Sequence, residues 1–263
     1  MTQNQSEWKA VFDSVKGTSH ETNDQPCQDC CRVVTQSSTN GDVLIAVCAD
    51  GAGSAEHSDK GSQIACDQFV ELCKAYLREN ASIQDINHDL VSSWLQQIRY
   101  SIAEKAEEID TTIRQMATTL LGCIVTSSES LFVQVGDGAM VFRSEDNFEY
   151  AFWPHTGEYA NMTNFLTSDD FAEKFEWKIV NEQINEFVAF TDGLERLVLK
   201  FEDQSVHEPA IVPMLDAIRR SDTGEQFFEP LRRFLNSDGV NERTDDDKTL
   251  VLATRLENDE AGI

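Results

Sequence analysis

Three apolar runs in this chain end in Asp-Gly: Ile45-Ala-Val-Cys-Ala-Asp50-Gly51, Phe132-Val-Gln-Val-Gly-Asp137-Gly138 and Phe187-Val-Ala-Phe-Thr-Asp192-Gly193. A fourth segment runs acid first, Asp245-Asp246-Asp247-Lys248, and then Thr249-Leu-Val-Leu-Ala-Thr254. Apolar runs of this length read as β-strands. A strand that ends in Asp and an antiparallel neighbour that begins with Asp bring their carboxylates to one sheet edge. Two such charges ~4 Å apart interact with about 4 kcal/mol near a protein surface. A gathering of this kind calls for a positive charge at its centre, and hard divalent cations prefer carboxylate oxygen. One Asp-Gly alone is a common hairpin turn, because Gly takes positive φ and Asp bonds its own backbone. Three of them behind apolar runs, with an acidic run ahead of a fourth, point instead to a metal site.

Those strands need a scaffold. With 263 residues, 40% of them hydrophobic, the chain can build one sizeable core. Its 21 basic and 47 acidic residues give a formal charge of −26. That field repels nucleic acid and anionic membranes, and it repels phosphorylated substrates unless bound cations invert it locally. Met1–Glu7 has neither the basic nor the apolar region of a secretory signal, and no apolar run approaches the ~20 residues of a membrane span. The seven cysteines are an odd number, and Cys48, Cys66, Cys73 and Cys123 lie inside apolar runs, as small hydrophobes do in a reducing cytoplasm. Cys27-x-x-Cys30-Cys31 has no second Cys or His pair at zinc-finger spacing.

The patterning predicts strands at Trp8–Val15, Arg32–Thr35, Asp42–Ala49, Ala117–Ser127, Ser130–Val135, Ala139–Arg143, Phe175–Val180, Glu186–Phe190 and Thr249–Thr254. Thr18–Asp29 reads as a polar loop, and Ser37–Gly41 as a hairpin turn. Helical spacing marks Gly61–Glu79 and Asp89–Ile113, with shorter helices at Leu194–Leu199 and Gly224–Asn236. Residues 144–175 are polar and irregular, which suits a functional flap; Asn161–Thr167, with Phe165, is the candidate for substrate selection. The expectation is one domain over 8–255, with loose tails at 1–7 and 256–263. Its class is α+β: an antiparallel β core with helices packed outside.

Five short segments then carry a resemblance: Ala49-Asp50-Gly51-Ala52-Gly53, Thr118-Thr119-Leu-Leu-Gly122, Gly136-Asp137-Gly138-Ala139, Thr191-Asp192-Gly193-Leu194 and Asp246-Asp247-Lys248-Thr249. In this order they resemble the metal-dependent protein serine/threonine phosphatases of type 2C, in a divergent bacterial branch. The resemblance implies a two-sheet antiparallel β-sandwich flanked by helix pairs, with the active site at one end. It implies two Mn²⁺ or Mg²⁺ ions, and a third bound more weakly. Asp50 would bridge two ions, Gly51 would offer its carbonyl, Asp192 and Asp246 would hold the first ion, and Asp137 would help bind the third. Asp29 would act from behind, bonding metal-bound water. Thr119 would be structural.

Two positions depart from the family's pattern. His20 stands where an Arg normally grips the substrate phosphate, with Gln28 in place of an acid beside Asp29. An imidazole lacks the bidentate fork of a guanidinium. Ala52 stands where many members have a His after the first Asp-Gly. The implied chemistry is in-line attack on phosphoserine or phosphothreonine by a hydroxide bridging two cations, with no cysteine nucleophile. The implied partners are phosphoproteins and an opposing Ser/Thr kinase. The alternative is a pseudophosphatase that binds partners without hydrolysis.

Overall fold

A computed structural model of the chain describes residues 8–38, 40–145, 147–154 and 163–256. In chain order the elements are β1 (Trp8–Val15), a one-turn helix α1 (Thr18–Thr22), β2 (Cys30–Ser38), β3 (Gly41–Ala49), α2 (Ser58–Glu79) and α3 (His88–Glu108). Then come β4 (Leu120–Val125), β5 (Ser130–Val135), β6 (Ala139–Arg143), β7 (Phe148–Tyr150), β8 (Glu176–Val180) and β9 (Glu186–Phe190). The remainder is α4 (Glu195–Val198), β10 (Leu199–Lys200), β11 (Ser205–Val206), α5 (Glu208–Arg220), α6 (Phe228–Leu235), α7 (Asp238–Asn241) and β12 (Lys248–Arg255).

Two five-stranded sheets face each other, in the orders β1-β12-β9-β6-β7 and β2-β3-β4-β5-β8. All their pairings are antiparallel among the described residues. The expected sandwich is therefore present. β3 shows why its strands read as unbroken apolar runs: both of its faces are covered. Leu44, Ala46 and Cys48 join Phe132, Phe142 and Phe187 between the sheets. Ile45, Val47 and Ala49 point the other way, against Phe69 of α2 and Ile98 of α3. The outer face of the other sheet, with Val188, Phe190, Leu250 and Leu252, is covered by Ile211 and Leu215 of α5 and Leu231 of α6. Each such large side chain contributes about 2 kcal/mol when fully buried.

The helices owe their limits to local chemistry. Asn87 caps α3 by accepting the Leu90 N–H at 3.1 Å. α3 stops at Glu108 rather than near Ile113, because Asp110 takes a left-handed conformation (φ 58°). α5 was absent from the patterning because Pro213 lies inside it. The bond Pro213 cannot make is one to Pro209 in the first turn, and burial of Ile211, Leu215 and Ile218 offsets that loss.

The stretch 18–29, read as a loop, opens with α1. This turn is held by tertiary bonds, Ser19 N–H and Oγ donating to the Asp245 carbonyl at 2.9 and 2.7 Å. The strand expected at Ala117–Ser127 starts only at Leu120. Within 144–175 the described residues include β7 and a 3-10 turn at Phe171–Glu173, so that stretch is partly regular. Asn161, at the head of the substrate-selection segment, and the loose tails 1–7 and 257–263 lie outside the described residues.

Candidate active site

Strand register sets the site. Leu250 near the start of β12 pairs with Phe190 at the end of β9, and Phe190 also pairs with Ala139 at the start of β6. In the other sheet Cys48 near the end of β3 pairs with Leu121 near the start of β4, and Leu120 pairs with Val135 at the end of β5. Asp50, Asp137, Asp192 and Asp246 all lie just beyond these ends, at one edge of the sandwich. Asp50 comes from one sheet, Asp192 and Asp246 from the other, and Asp137 from the turn that crosses between them.

One oxygen each of Asp50, Asp137 and Asp192 lies within 4.8 Å of the others. Two of these residues are pinned by neighbouring segments. The Asp50 N–H donates to Thr119 Oγ1 at 2.9 Å, while the Asp50 carbonyl accepts from Thr119 N at 2.8 Å and Thr118 Oγ1 at 3.0 Å. Residues 117–119 thus leave strand geometry to pin Asp50, and Gly51 bridges to Thr118. Asp137 sits between two glycines of positive φ, Gly136 (99°) and Gly138 (84°), a turn that L side chains resist. Glu195 Oε1 accepts the Gly138 N–H at 2.9 Å, and Thr163 Oγ1 donates to Asp137 Oδ2 at 2.6 Å. Asp137 Oδ1 is buried without a hydrogen-bond partner among the described residues.

Charge at this edge is strained. Burial first, and then Asp29, Asp192, Asp137 and Asp246, push the Asp50 carboxyl well above the usual range. Burial and then Asp137 and Asp246 push Asp192 to about 8. Burial raises Glu195 to about 7 and also raises Asp246. Three converging carboxylates, one buried oxygen without a partner and an all-oxygen donor set fit a hard divalent cation, which would stand where protons otherwise must.

Asp246 lies outside the three-carboxylate group, and its Oδ1 accepts the Asp247 N–H at 2.8 Å. Asp29 is buried behind the cluster, where Oδ2 accepts Thr191 Oγ1 and Thr249 Oγ1, each at 2.8 Å. Burial and then Asp247 raise Asp29 to about 7, against the pull of those two hydroxyls. His20 is buried, with Nδ1 2.9 Å from Asp247 Oδ1. Its Nε2 lies 3.8 Å, and Gln28 Oε1 4.0 Å, from the place a Cβ on Gly53 would take. Gln28 Oε1 has no hydrogen-bond partner among the described residues.

Asp247 and Glu195 have parts in the site that spacing alone does not assign. Asp247 is 2% exposed, and its two oxygens accept the N–H groups of Gly17 and Gln28, both at 2.6 Å. It stands in the acidic run ahead of β12, and Glu195 stands three residues after Asp192. Their signal was proximity to residues already singled out.

The family model of protein phosphatase 2C matches residues 16–242 of this chain. The chain is also 35% identical over 252 residues to serine/threonine-protein phosphatase 3 of Escherichia coli (strain K12), covering 94% of this chain and 98% of that protein. The chain belongs to the protein phosphatase 2C family.

Solved structures share this 2C fold at low identity. The serine/threonine phosphatase Stp1 from Staphylococcus aureus has a TM-score of 0.61 at 16% identity, over 95% of each chain. RsbX, solved in complex with magnesium, has a TM-score of 0.54 at 15% identity, over 94% of this chain and 95% of that one. Within the 2C frame the changes at His20, Gln28 and Ala52 leave the convergence of Asp50, Asp137 and Asp192 intact. No helix among the described residues is long and apolar enough to cross a membrane.

Proposed function

We propose that this chain hydrolyses phosphoserine and phosphothreonine in proteins, using Mn²⁺ or Mg²⁺ held at its carboxylate edge. The observation that carries this is the approach of Asp50, Asp137 and Asp192 oxygens to within 4.8 Å. Asp50 and Asp192 would be the principal holders, with the Gly51 carbonyl, Asp246 and Asp137 as further oxygen donors. When bound, the cations supply a nucleophile at neutral pH and neutralise charge on the phosphoryl oxygens.

The protein's own groups set the rest. Asp29, fixed by two threonine hydroxyls, accepts hydrogen bonds from behind the site. His20, anchored through Nδ1, presents Nε2 to the substrate phosphate. Thr163, the first described residue after 154, is bonded to Asp137 at the site, which supports a role for the 144–175 segment in choosing substrate. The partners are then phosphoproteins, opposed by a Ser/Thr kinase. The seven unpaired cysteines support a cytoplasmic setting.

The test is phosphate release from a phosphothreonine peptide with Mn²⁺, with Mg²⁺ and with EDTA, beside Asp192→Asn, together with calorimetric Mn²⁺ titration of both proteins. Metal-dependent turnover that disappears in the variant is expected. Turnover that survives EDTA, or Mn²⁺ binding undiminished by Asp192→Asn, overturns the assignment.

A further inference from the structure

Six of the seven cysteines hold their protons tightly. Burial raises the thiols of Cys27, Cys31, Cys48, Cys66, Cys73 and Cys123, Cys31 to about 12. Cys30 is different, and the reason is geometric. Arg32 Nη1 donates to Cys30 Sγ at 3.0 Å and to the Cys31 carbonyl at 2.8 Å. The guanidinium is aimed by Asp67 of α2, whose Oδ1 accepts Arg32 Nε at 2.8 Å. From the same turn of α2, Cys66 Sγ donates to the Cys30 carbonyl at 3.4 Å and lies within hydrogen-bonding reach of Cys30 Sγ. The Cys66 bond and then the Arg32 charge hold the Cys30 thiol below its ordinary value. Arg32 is 42% exposed along its side chain, so Cys30 lies one side chain beneath solvent.

We propose that Cys30 and Cys66 form a peroxide-reactive dithiol that closes to a disulfide between β2 and α2. The Cys30 thiolate attacks one oxygen of a peroxide; the O–O bond breaks, and Cys30 becomes a sulfenic acid as hydroxide or alkoxide leaves. Cys66 sulfur then attacks the Cys30 sulfur, the S–O bond breaks and water leaves with the Cys66 proton. Two electrons pass from the two sulfurs to the peroxide. Asp67 and Arg32 serve as positioning residues, since neither exchanges electrons. The thiolate, stabilised by a guanidinium, is the attacking form.

The experiment treats the reduced full chain with hydrogen peroxide and maps its tryptic peptides by mass spectrometry. A link between peptides 17–32 and 61–74, assigned by fragmentation to Cys30 and Cys66 and opened by dithiothreitol, is expected. Cys31→Ser and Cys73→Ser should leave the link in place. Cys66→Ser should leave Cys30 as a sulfenic acid that dimedone traps, and Arg32→Gln should slow Cys30 oxidation about ten-fold. Cys30 oxidation no faster than that of Cys31, a link through other cysteines, or no dimedone adduct in Cys66→Ser overturns the proposal. If Cys66→Ser fails to fold, the wild-type map alone decides.

Discussion

His20 Nδ1 and Asp247 Oδ1 lie 2.9 Å apart, and the opposite ring nitrogen faces Gly53. Asp247 is itself fixed by two backbone N–H groups, so the imidazole is held by a carboxylate that cannot swing. An Arg reaches a phosphate with a fork of its own. Here a shorter ring is delivered to its position by a buried partner.

If Nε2 contacts the substrate phosphate, His20→Ala should raise KM about 10–100-fold, the worth of a hydrogen bond to a charged group. Mn²⁺ affinity should stay within a factor of about two, because His20 lies outside the carboxylate group. Steady-state kinetics with a phosphothreonine peptide and calorimetry with Mn²⁺ measure the two effects separately. An unchanged KM removes His20 from substrate binding.

Asp247→Ala strips the acceptor from the buried N–H groups of Gly17 and Gln28. The expected cost is on the order of 3 kcal/mol, read from urea unfolding. Asp247→Asn keeps one oxygen and should lose less. Equal stability of both variants would show that water replaces the carboxylate.

Asp192→Asn should lower turnover by on the order of 10²–10³-fold, since it removes a charge aimed at the reacting centre. The same change should raise the melting temperature of metal-free protein. It takes away a buried charge whose carboxyl sits near 8, held there by burial and by Asp137 and Asp246. A variant that loses activity and gains stability marks a site built for function at the expense of the fold. Lower stability in EDTA would contradict this reading.

The carboxyls of Asp29 and Asp192 sit at about 7 and about 8 in the folded chain, against about 4 in an unfolded one. Between those values the folded state binds more protons than the unfolded state. Stability from these groups is therefore complete below pH about 4 and is lost as pH rises through about 8. Metal-free protein should melt at a lower temperature at pH 8 than at pH 6, and excess Mn²⁺ should flatten the difference. Asp192→Asn should reduce the slope. Thermal melts in EDTA at several pH values check the sign.

The carboxylate edge was legible because its residues follow strands, and a strand's end is marked by its apolar run. Asp50, Asp137 and Asp192 each stand where a run stops, so sequence spacing and spatial convergence coincide. α1 and α5 were not legible. α1 has no apolar stripe and exists because Asp245 accepts its N–H, while α5 hides a clear stripe behind Pro213. Asp247 and Glu195 hold backbone N–H groups from distant segments. Such bonds follow from the fold and leave no local pattern, whereas the Cys30–Arg32 spacing gains meaning only once α2 brings Cys66 and Asp67 beside it.

The pairing of β1 with β12 has a consequence for the newly made protein. Among the described strands β1 bonds to no other, and β12 is the last in chain order. Synthesis delivers Asp50, Asp137 and Asp192 to the ribosome exit before β12 is complete. Until it arrives, β1 has no strand to pair with, Asp29 lacks the Thr249 hydroxyl, and the N–H groups of Gly17 and Gln28 lack the acid that accepts them. The turn that carries His20 and the pocket that holds Asp29 are therefore completed only when the last strand of the sheet takes its place beside the first.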